Sequence, residues 1–220
     1  MRIRPPGSAG PVPVQLWLLV GSMALIELVL SAADRGWIGT PFWRAIAFGY
    51  GAFWQSVLSG AEQPIYAAQP YLMFLSHAFL HGDLLHFVLN GVILLALGKF
   101  ISQQVGPWAM LLVFAVSAVA GGLAYAALSG SAAPMVGASG AVFGFIGLWQ
   151  YWEYAARRAR GLTLKPVYQM LAGLVVINLV LAVMLQGGLA WQAHLGGFVA
   201  GVALGPAMTR VARARAAARM

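Results

Sequence analysis

The chain has 220 residues, of which 61% are hydrophobic and 8% are charged, and its formal net charge is +8. In soluble globular domains about a quarter of the residues are charged, so this composition excludes an ordinary soluble domain and indicates an integral membrane protein. The sequence contains no cysteine, which excludes disulfides, thiolate chemistry and cysteine-based metal sites within it.

Six stretches are apolar over the roughly 20 residues that a membrane-spanning helix needs, although the fourth is shorter than the others. They cover residues 14–33, 84–101, 107–128, 139–155, 166–185 and 191–209. We therefore predict an all-α integral membrane protein in which residues 1–220 form a single domain with six transmembrane helices. The sequence has neither an internal repeat nor a recognisable soluble second domain.

The first apolar stretch has two interpretations. It follows Arg2 and Arg4 and ends in SAA, as a signal peptide does. Its apolar run of about 20 residues is longer than the core of a typical signal peptide, which favours a helix that is retained in the mature protein.

Residues 34–80 form a long connection between the first two predicted helices. The connection is rich in aromatic residues and is interrupted by Pro41, Pro64 and Pro70. Aromatic side chains are enriched at membrane–water interfaces, so we expect a long first loop that lies in the interface and does not span the membrane. Loops of this length in compact proteins are usually functional.

Lysine and arginine are distributed unequally between the two ends of the predicted helices. Six spans place both termini on one side, and eleven of the thirteen basic residues fall there: Arg2, Arg4, Lys99, Arg157, Arg158, Arg160, Lys165, Arg210, Arg213, Arg215 and Arg219. The other side has only Arg35 and Arg44. The positive-inside rule then predicts cytoplasmic termini in the cell (cytoplasmic or inner) membrane. It also assigns the basic C-terminal segment to anionic membrane lipids and not to nucleic acid.

This topology puts all four histidines, in SHAFLHGDLLHFVLN and WQAHLGGFVAG, at the outer ends of helices. Ser139 begins the fourth helix from the same side. Asn90 follows His86 by four residues, so the two side chains share one helix face. Ser139, His86, Asn90 and His194 are therefore predicted to lie at one depth.

Glycines follow both Ser139 and His194 at helical spacing. Those after Ser139 are Gly140, Gly144 and Gly147, and those after His194 are Gly197, Gly201 and Gly205. Ridges of small residues let helix backbones approach closely. We therefore expect Ser139 and His194 to come within hydrogen-bond reach, about 2.6–3.2 Å.

The combination of serine and histidine points to acyl transfer. A serine hydroxyl becomes an effective nucleophile when a base takes its proton, and histidine can act as that base near neutral pH. His86, the Asn90 amide and the Ser139 backbone N–H are candidate donors to an oxyanion, and no carboxylate is placed to complete a triad. The alternative is structural: Ser139 in a glycine-rich helix crossing, with His86 and Asn90 holding helices together.

Other polar residues have simpler interpretations. His77 and His81 are four residues apart, as in a metal site, but the Glu of an HExxH zinc motif is missing. Asn178 is interpreted as an interhelical hydrogen-bonding residue and Glu27 as a paired structural acid. Residues 185–190, with Gly187 and Gly188, are a candidate mobile cap over His194.

Three motifs lie at the outer ends of the second, fourth and sixth predicted helices, and the first two begin a few residues before their helix. They are His-x4-His-x3-Asn from His81 to Asn90, Gly-x-Ser-Gly at 137–140 and Ala-His-x2-Gly-x3-Gly at 193–201. In this order, and with the aromatic Phe143 one turn after the serine, they resemble the rhomboid family of intramembrane serine proteases.

The resemblance implies a role for each matched residue. Ser139 resembles the nucleophile and His194 the general base, and His86 and Asn90 resemble the oxyanion hole. The supporting positions are Phe143 for the ring that stacks on the catalytic imidazole, His81 for a structural loop histidine, and Gly137, Gly140, Gly197 and Gly201 for the motif and helix-packing glycines.

The resemblance also implies a rhomboid-like six-helix bundle with an outward-open cavity and without cofactor or metal. The function it predicts is cleavage of transmembrane protein substrates near the outer face of the membrane by a Ser-His dyad. The alternative is a catalytically inactive rhomboid-like protein that binds or escorts membrane helices, which would be expected to lack Ser139 or His194. A channel or transporter fits less well, because the polar groups gather at one end of the helices.

Overall fold

The structure is a computed structural model that describes residues 10–186 and 188–218. Arg2, Arg4, Gly187 and Arg219, which enter the predictions above, lie outside the described residues. The helices are α1 (Val14–Asp34), α2 (Trp43–Gly51), α3 (Gln55–Ser59), α4 (Gln69–Ser76), α5 (Leu84–Val105), α6 (Pro107–Leu128), α7 (Ser139–Ala159), α8 (Lys165–Met184) and α9 (Trp191–Ala217). A 3-10 turn, His77–Phe79, follows α4. The all-helical prediction is confirmed.

Six long helices coincide with the six predicted stretches. Over the part of the chain that the structure describes, five of them, α1, α5, α6, α8 and α9, are long and apolar enough to cross a membrane. Helix α7 is not among the five, because polar residues such as Gln150 and Glu153 lower its hydropathy. Ten of its 21 residues are buried against other helices, so little of α7 has to match the lipid. The count of six spans therefore stays a prediction.

Several long helices continue past the ends that hydropathy predicted. Helix α5 ends at Val105 and not at 101, α7 at Ala159 and not at 155, and α9 at Ala217 and not at 209. The additional turns of α7 and α9 carry arginines. Hydropathy marks the part of a helix that faces lipid, whereas backbone hydrogen bonding continues into the polar region. Asp34, which the sequence assigned to a loop, is the last residue of α1.

Local sequence signals explain where two helices begin. Asp83 caps α5, because its Oδ1 atom accepts a hydrogen bond of 2.8 Å from the backbone N–H of His86. Pro107 occupies the first turn of α6, where its missing N–H costs nothing. Gly106, with φ +93°, makes the turn between α5 and α6, a conformation that other residues rarely adopt.

The long first connection contains the short helices α2, α3 and α4. Side-chain hydrogen bonds to backbone carbonyls join α4 to α2: Gln69 donates to Gly49 at 2.7 Å and Ser76 donates to Gly51 at 2.7 Å. The connection is thus an ordered helical segment. Its position in the membrane interface stays a prediction.

The core lies where α7 packs between α5, α6 and α9. The carbonyl oxygens of Gly140 and Gly144 lie so close to Gly197 and Gly201 that a Cβ atom on either α9 glycine would overlap them. The two glycine ridges therefore meet at backbone contact, as the spacing predicts. Helix α8 packs much less closely, since Val167 is the only buried residue among its 20.

Candidate active site

Backbone hydrogen bonds to Phe53 and His77 hold the segment before α7 in place. Phe53 and Met135 form an antiparallel pair, with N–H···O distances of 3.0 and 2.9 Å. The Gly137 N–H then donates to the carbonyl of His77 at 2.9 Å. With φ +116°, Gly137 redirects the chain so that α7 begins two residues later at Ser139.

Ser139 and His194 lie within hydrogen-bond distance. The distance from Ser139 Oγ, on the first residue of α7, to His194 Nε2 on α9 is 2.9 Å, inside the range expected from the glycine spacing. His194 is 6% exposed, and its imidazole lies parallel to the Phe143 ring, with centroids 4.2 Å apart and planes at 6°. The ring is thereby restrained in the plane that contains its hydrogen bond.

The other nitrogen of His194 has a partner on a third helix. Asn178 Oδ1, on α8, is 2.6 Å from His194 Nδ1, and Asn178 Nδ2 donates to the Leu174 carbonyl at 2.8 Å. The interpretation of Asn178 as an interhelical hydrogen-bonding residue is confirmed, but the sequence did not identify His194 as its partner. Asn178 is the only strongly polar side chain in residues 170–184, a signal that could have marked it as functional.

His86 lies against the turn that leads to Ser139. A Cβ atom on Gly137 would be 2.7 Å from His86 Cε1 and Nε2, so only glycine leaves room for the ring here. His86 Nδ1 accepts a 3.4 Å hydrogen bond from the Gly82 N–H. The remaining ring proton is then on Nε2, the edge that faces Gly137.

Asn90 lies one turn further along α5 and is 5% exposed. Its Nδ2 atom donates to the His86 carbonyl at 2.9 Å. An amide nitrogen carries two hydrogens, so this bond uses one of the two. The structure thus places the His86 ring against Gly137, two residues before Ser139. One of the two amide hydrogens of Asn90 is used within α5.

His77 and His81 are buried outside the predicted spans. His77 Nε2 is 3.4 Å from the Ala118 carbonyl, and the His81 ring packs edge-on against those of His86 and Phe87. Burial lowers the pKa of His77 to about 4 and that of His81 to about 3, from an ordinary value of 6.5. Among the described residues, no three His, Cys, Asp or Glu side chains form a group that could hold a metal ion.

Glu27 is paired with Arg44, which confirms the interpretation of Glu27 as a paired acid. Arg44 contacts both Glu27 carboxylate oxygens, at 2.9 and 3.0 Å, and also donates to Asp34 and to the His81 carbonyl, each at 2.7 Å. Burial lowers the pKa of Arg44, but its hydrogen bonds to Glu27 and Asp34 outweigh this effect, so that pKa is raised. Arg44 thereby connects α1 and α2 to the segment before His86, a role that the sequence did not predict.

An apolar cavity of about 580 Å³ adjoins the site. It lies between α7, α8 and α9, and its lining includes Phe143, Leu174, Val175, Asn178, Trp191 and His194. The two polar side chains among these six are the hydrogen-bonded pair Asn178 and His194. A group entering the cavity would therefore meet a hydrophobic wall beside the imidazole.

Comparisons with known proteins identify the family of this chain. The model of the rhomboid domain matches residues 68–211, and the chain belongs to the rhomboid family. A curated relative, rhomboid-like protease 3 from Toxoplasma gondii, is 33% identical over 150 residues, which cover 67% of this chain. The match covers 56% of that relative, so the chain spans little more than half of its length. Family membership and the apolar helices together make the chain a multi-pass membrane protein.

Proposed function

We propose that this chain is an intramembrane serine endopeptidase that cleaves transmembrane segments of membrane proteins near the outer face of the membrane. The observation that carries the proposal is the 2.9 Å distance between Ser139 Oγ on α7 and His194 Nε2 on α9. In this proposal residues 1–220 form one six-helix domain with cytoplasmic termini. The distribution of arginine and lysine supports cytoplasmic termini, and the proposal places the chain in the cell membrane.

The proposed reaction begins with the serine hydroxyl. Ser139 Oγ attacks the scissile carbonyl carbon while His194 Nε2 takes the hydroxyl proton. The tetrahedral intermediate collapses to an acyl-enzyme as the imidazolium returns that proton to the leaving amine. Water then attacks the acyl carbon, with His194 again acting as base, and releases the second fragment together with free Ser139.

The developing oxyanion needs hydrogen-bond donors, and three groups are candidates. The Ser139 N–H belongs to the first turn of α7, where backbone N–H groups have no partner within the helix. The Nε2–H of His86 faces the Gly137 turn, and Asn90 retains a second amide hydrogen. We assign the oxyanion hole to these groups, because donors that are already oriented stabilise charge without reorganisation.

The substrate class follows from the requirement that Ser139 reach a backbone carbonyl of a membrane-spanning segment. A regular transmembrane helix shields its own carbonyls in i→i−4 hydrogen bonds, so cleavable segments must unwind near the outer interface. Because glycines line the start of α7, we expect a small side chain before the cleaved bond. Membrane lipids surround the enzyme, and the chemistry needs no cofactor or metal.

Labelling with a fluorophosphonate tests the proposal. The purified protein should be modified at Ser139, as located by peptide mass spectrometry, and should cleave a model transmembrane substrate. Ser139→Ala and His194→Ala should each reduce the cleavage rate on the order of 10³-fold or more. Ser117→Ala is the matched control, because Ser117 is a buried serine on α6 without a histidine partner in the structure. A wild type that is neither labelled nor active in any detergent or lipid would refute the proposal.

A further inference from the structure

We propose that Asn178 is a positioning residue that holds His194 in the tautomer able to accept the Ser139 proton. The inference rests on the proposed function and extends it, because it adds a third helix to the catalytic arrangement. Ser139 lies on α7, His194 on α9 and Asn178 on α8. The imidazole of His194 is hydrogen-bonded to both of the other side chains, one at each ring nitrogen.

The direction of the hydrogen bonds follows from the donors available. Asn178 Nδ2 donates to the Leu174 carbonyl at 2.8 Å, which orients the amide so that its oxygen faces His194. An amide oxygen only accepts hydrogen bonds, so His194 Nδ1 must carry the proton in the 2.6 Å contact. In a neutral imidazole Nε2 then has the free lone pair. That lone pair is directed at Ser139 Oγ, 2.9 Å away.

Asn178 also stabilises the positively charged imidazolium form of His194. When His194 takes the Ser139 proton, Nδ1 remains a donor to the amide oxygen, and the dipole of the amide faces the new positive charge. The surrounding cavity wall is apolar, so few other groups could stabilise that charge. A neutral amide does not take up the proton itself, which leaves the proton on Nε2 for the leaving amine.

A purely structural role is the competing explanation. Helix α8 has one buried residue out of 20, so the bond between Asn178 and His194 also attaches α8 to the bundle. The two roles make different predictions for the imidazole. If Asn178 only attaches α8, its loss changes helix packing but leaves the tautomer of His194 unchanged.

Nuclear magnetic resonance of ¹⁵N-histidine-labelled protein separates the two roles. The chain has four histidines, and the His194 signals are assigned as those lost in His194→Ala. The wild type should show Nδ1 as the protonated nitrogen and Nε2 as the unprotonated one. Asn178→Leu, which has a similar volume but no acceptor, should give a mixture of both tautomers. Asn178→Asp should restore the single tautomer, because a carboxylate also accepts from Nδ1.

Kinetics give the second measurement. Asn178→Leu should slow fluorophosphonate labelling and lower kcat about tenfold or more, the factor expected for one lost hydrogen bond, with little change in KM. Asn178→Asp should recover most of this loss. Ile177→Ala is the matched control, because it removes an exposed neighbouring α8 side chain that does not line the cavity.

The outcomes distinguish this inference from the proposed function. An unlabelled wild type with a single His194 tautomer that is lost in Asn178→Leu refutes the protease and retains the positioning role. A labelled wild type whose tautomer and kcat are unchanged in a folded Asn178→Leu variant refutes the positioning role and retains the protease. Equal loss of thermal stability in Asn178→Leu and Asn178→Asp, with an unchanged His194 spectrum, also overturns the positioning role.

Discussion

The Phe143 ring stacks on the His194 imidazole, with ring centroids 4.2 Å apart and an angle of 6° between the planes. Both rings lie on glycine-rich helices that are in backbone contact, so the stacking is part of the α7–α9 interface. An aromatic pair contributes about 0.5–1.5 kcal/mol beyond its area burial. The contact restrains the imidazole to the plane in which Nε2 faces Ser139.

Removing this ring should slow the reaction without unfolding the protein. Phe143→Ala is expected to lower the rate of fluorophosphonate labelling roughly three- to tenfold, as the loss of about 1 kcal/mol of stacking implies. Phe143→Tyr keeps the ring and should label at nearly the wild-type rate, since position 143 borders the cavity. Equal rates for Phe143→Ala and wild type would contradict a role of stacking in orienting His194.

The contact between the two glycine ridges makes a prediction about packing. Gly197→Ala or Gly201→Ala adds a methyl group that overlaps a carbonyl oxygen of α7, so α9 must move away. Overpacking of this kind typically costs about 1–3 kcal/mol in the free energy of unfolding, and it should also separate Ser139 from His194. We expect lower thermal stability and loss of fluorophosphonate labelling.

Gly173→Ala on α8 is the control for the ridge variants. No atom lies within 4 Å of the position that its Cβ would occupy. Stability and labelling should therefore be unchanged or slightly improved, because alanine favours helix more than glycine does. If all three alanine variants behave alike, the close approach of α7 and α9 does not determine the site.

The buried ion pair between Glu27 and Arg44 should be sensitive to the loss of one partner. The Glu27 side chain is 1% exposed and that of Arg44 is 13% exposed. Glu27→Leu leaves the arginine without its main partner, and breaking a buried pair in this way costs on the order of 3–5 kcal/mol. The measurement is the free energy of unfolding from denaturant titration in detergent micelles.

Two further variants test whether this cost comes from an unpaired charge. The double variant Glu27→Leu with Arg44→Met should recover much of the lost stability, since it removes both charges. Asp34→Asn should cost less than about 1 kcal/mol, because the Asp34 side chain is 37% exposed and water screens its contact. A double variant as unstable as the single one would contradict the explanation.

The buried histidines predict acid sensitivity. The pKa of His77 is lowered to about 4 and that of His81 to about 3, so both are neutral in the folded protein where the unfolded chain already binds protons. The contribution of these two neutral histidines to the free energy of unfolding is therefore fully present well above pH 6.5. It decreases as the pH falls, by up to about 1.4 kcal/mol per pH unit for each histidine.

The effect is measured as the change in unfolding temperature between pH 7.5 and 4.5. His81→Phe removes one titrating group, keeps an aromatic ring and should flatten the dependence. Because Phe cannot be protonated, the unfolding temperature of this variant should change less with pH, by the amount that His81 contributes in the wild type. A slope equal to that of the wild type would show that His81 does not cause the acid sensitivity.

Hydropathy and spacing predicted much of this molecule. The all-helical architecture, the beginning of α7 at Ser139 and the close approach of α7 and α9 follow from apolar runs and from glycines every three to four residues. Helix ends were predicted less well, because backbone hydrogen bonding in α9 continues past the apolar segment as far as Ala217. The catalytic roles of Ser139, His194, His86 and Asn90 stay proposals.

The sequence by itself determined which residue types stand at which spacing, and therefore the class of fold and the candidate nucleophile and base. Only the tertiary structure decided which distant side chains meet. Asn178 and Arg44 are polar residues with many conceivable partners, and their contacts with His194, Glu27 and His81 depend on how separate helices cross. Helix periodicity specifies the face of one helix, whereas the pairing of faces depends on the packing of the whole bundle.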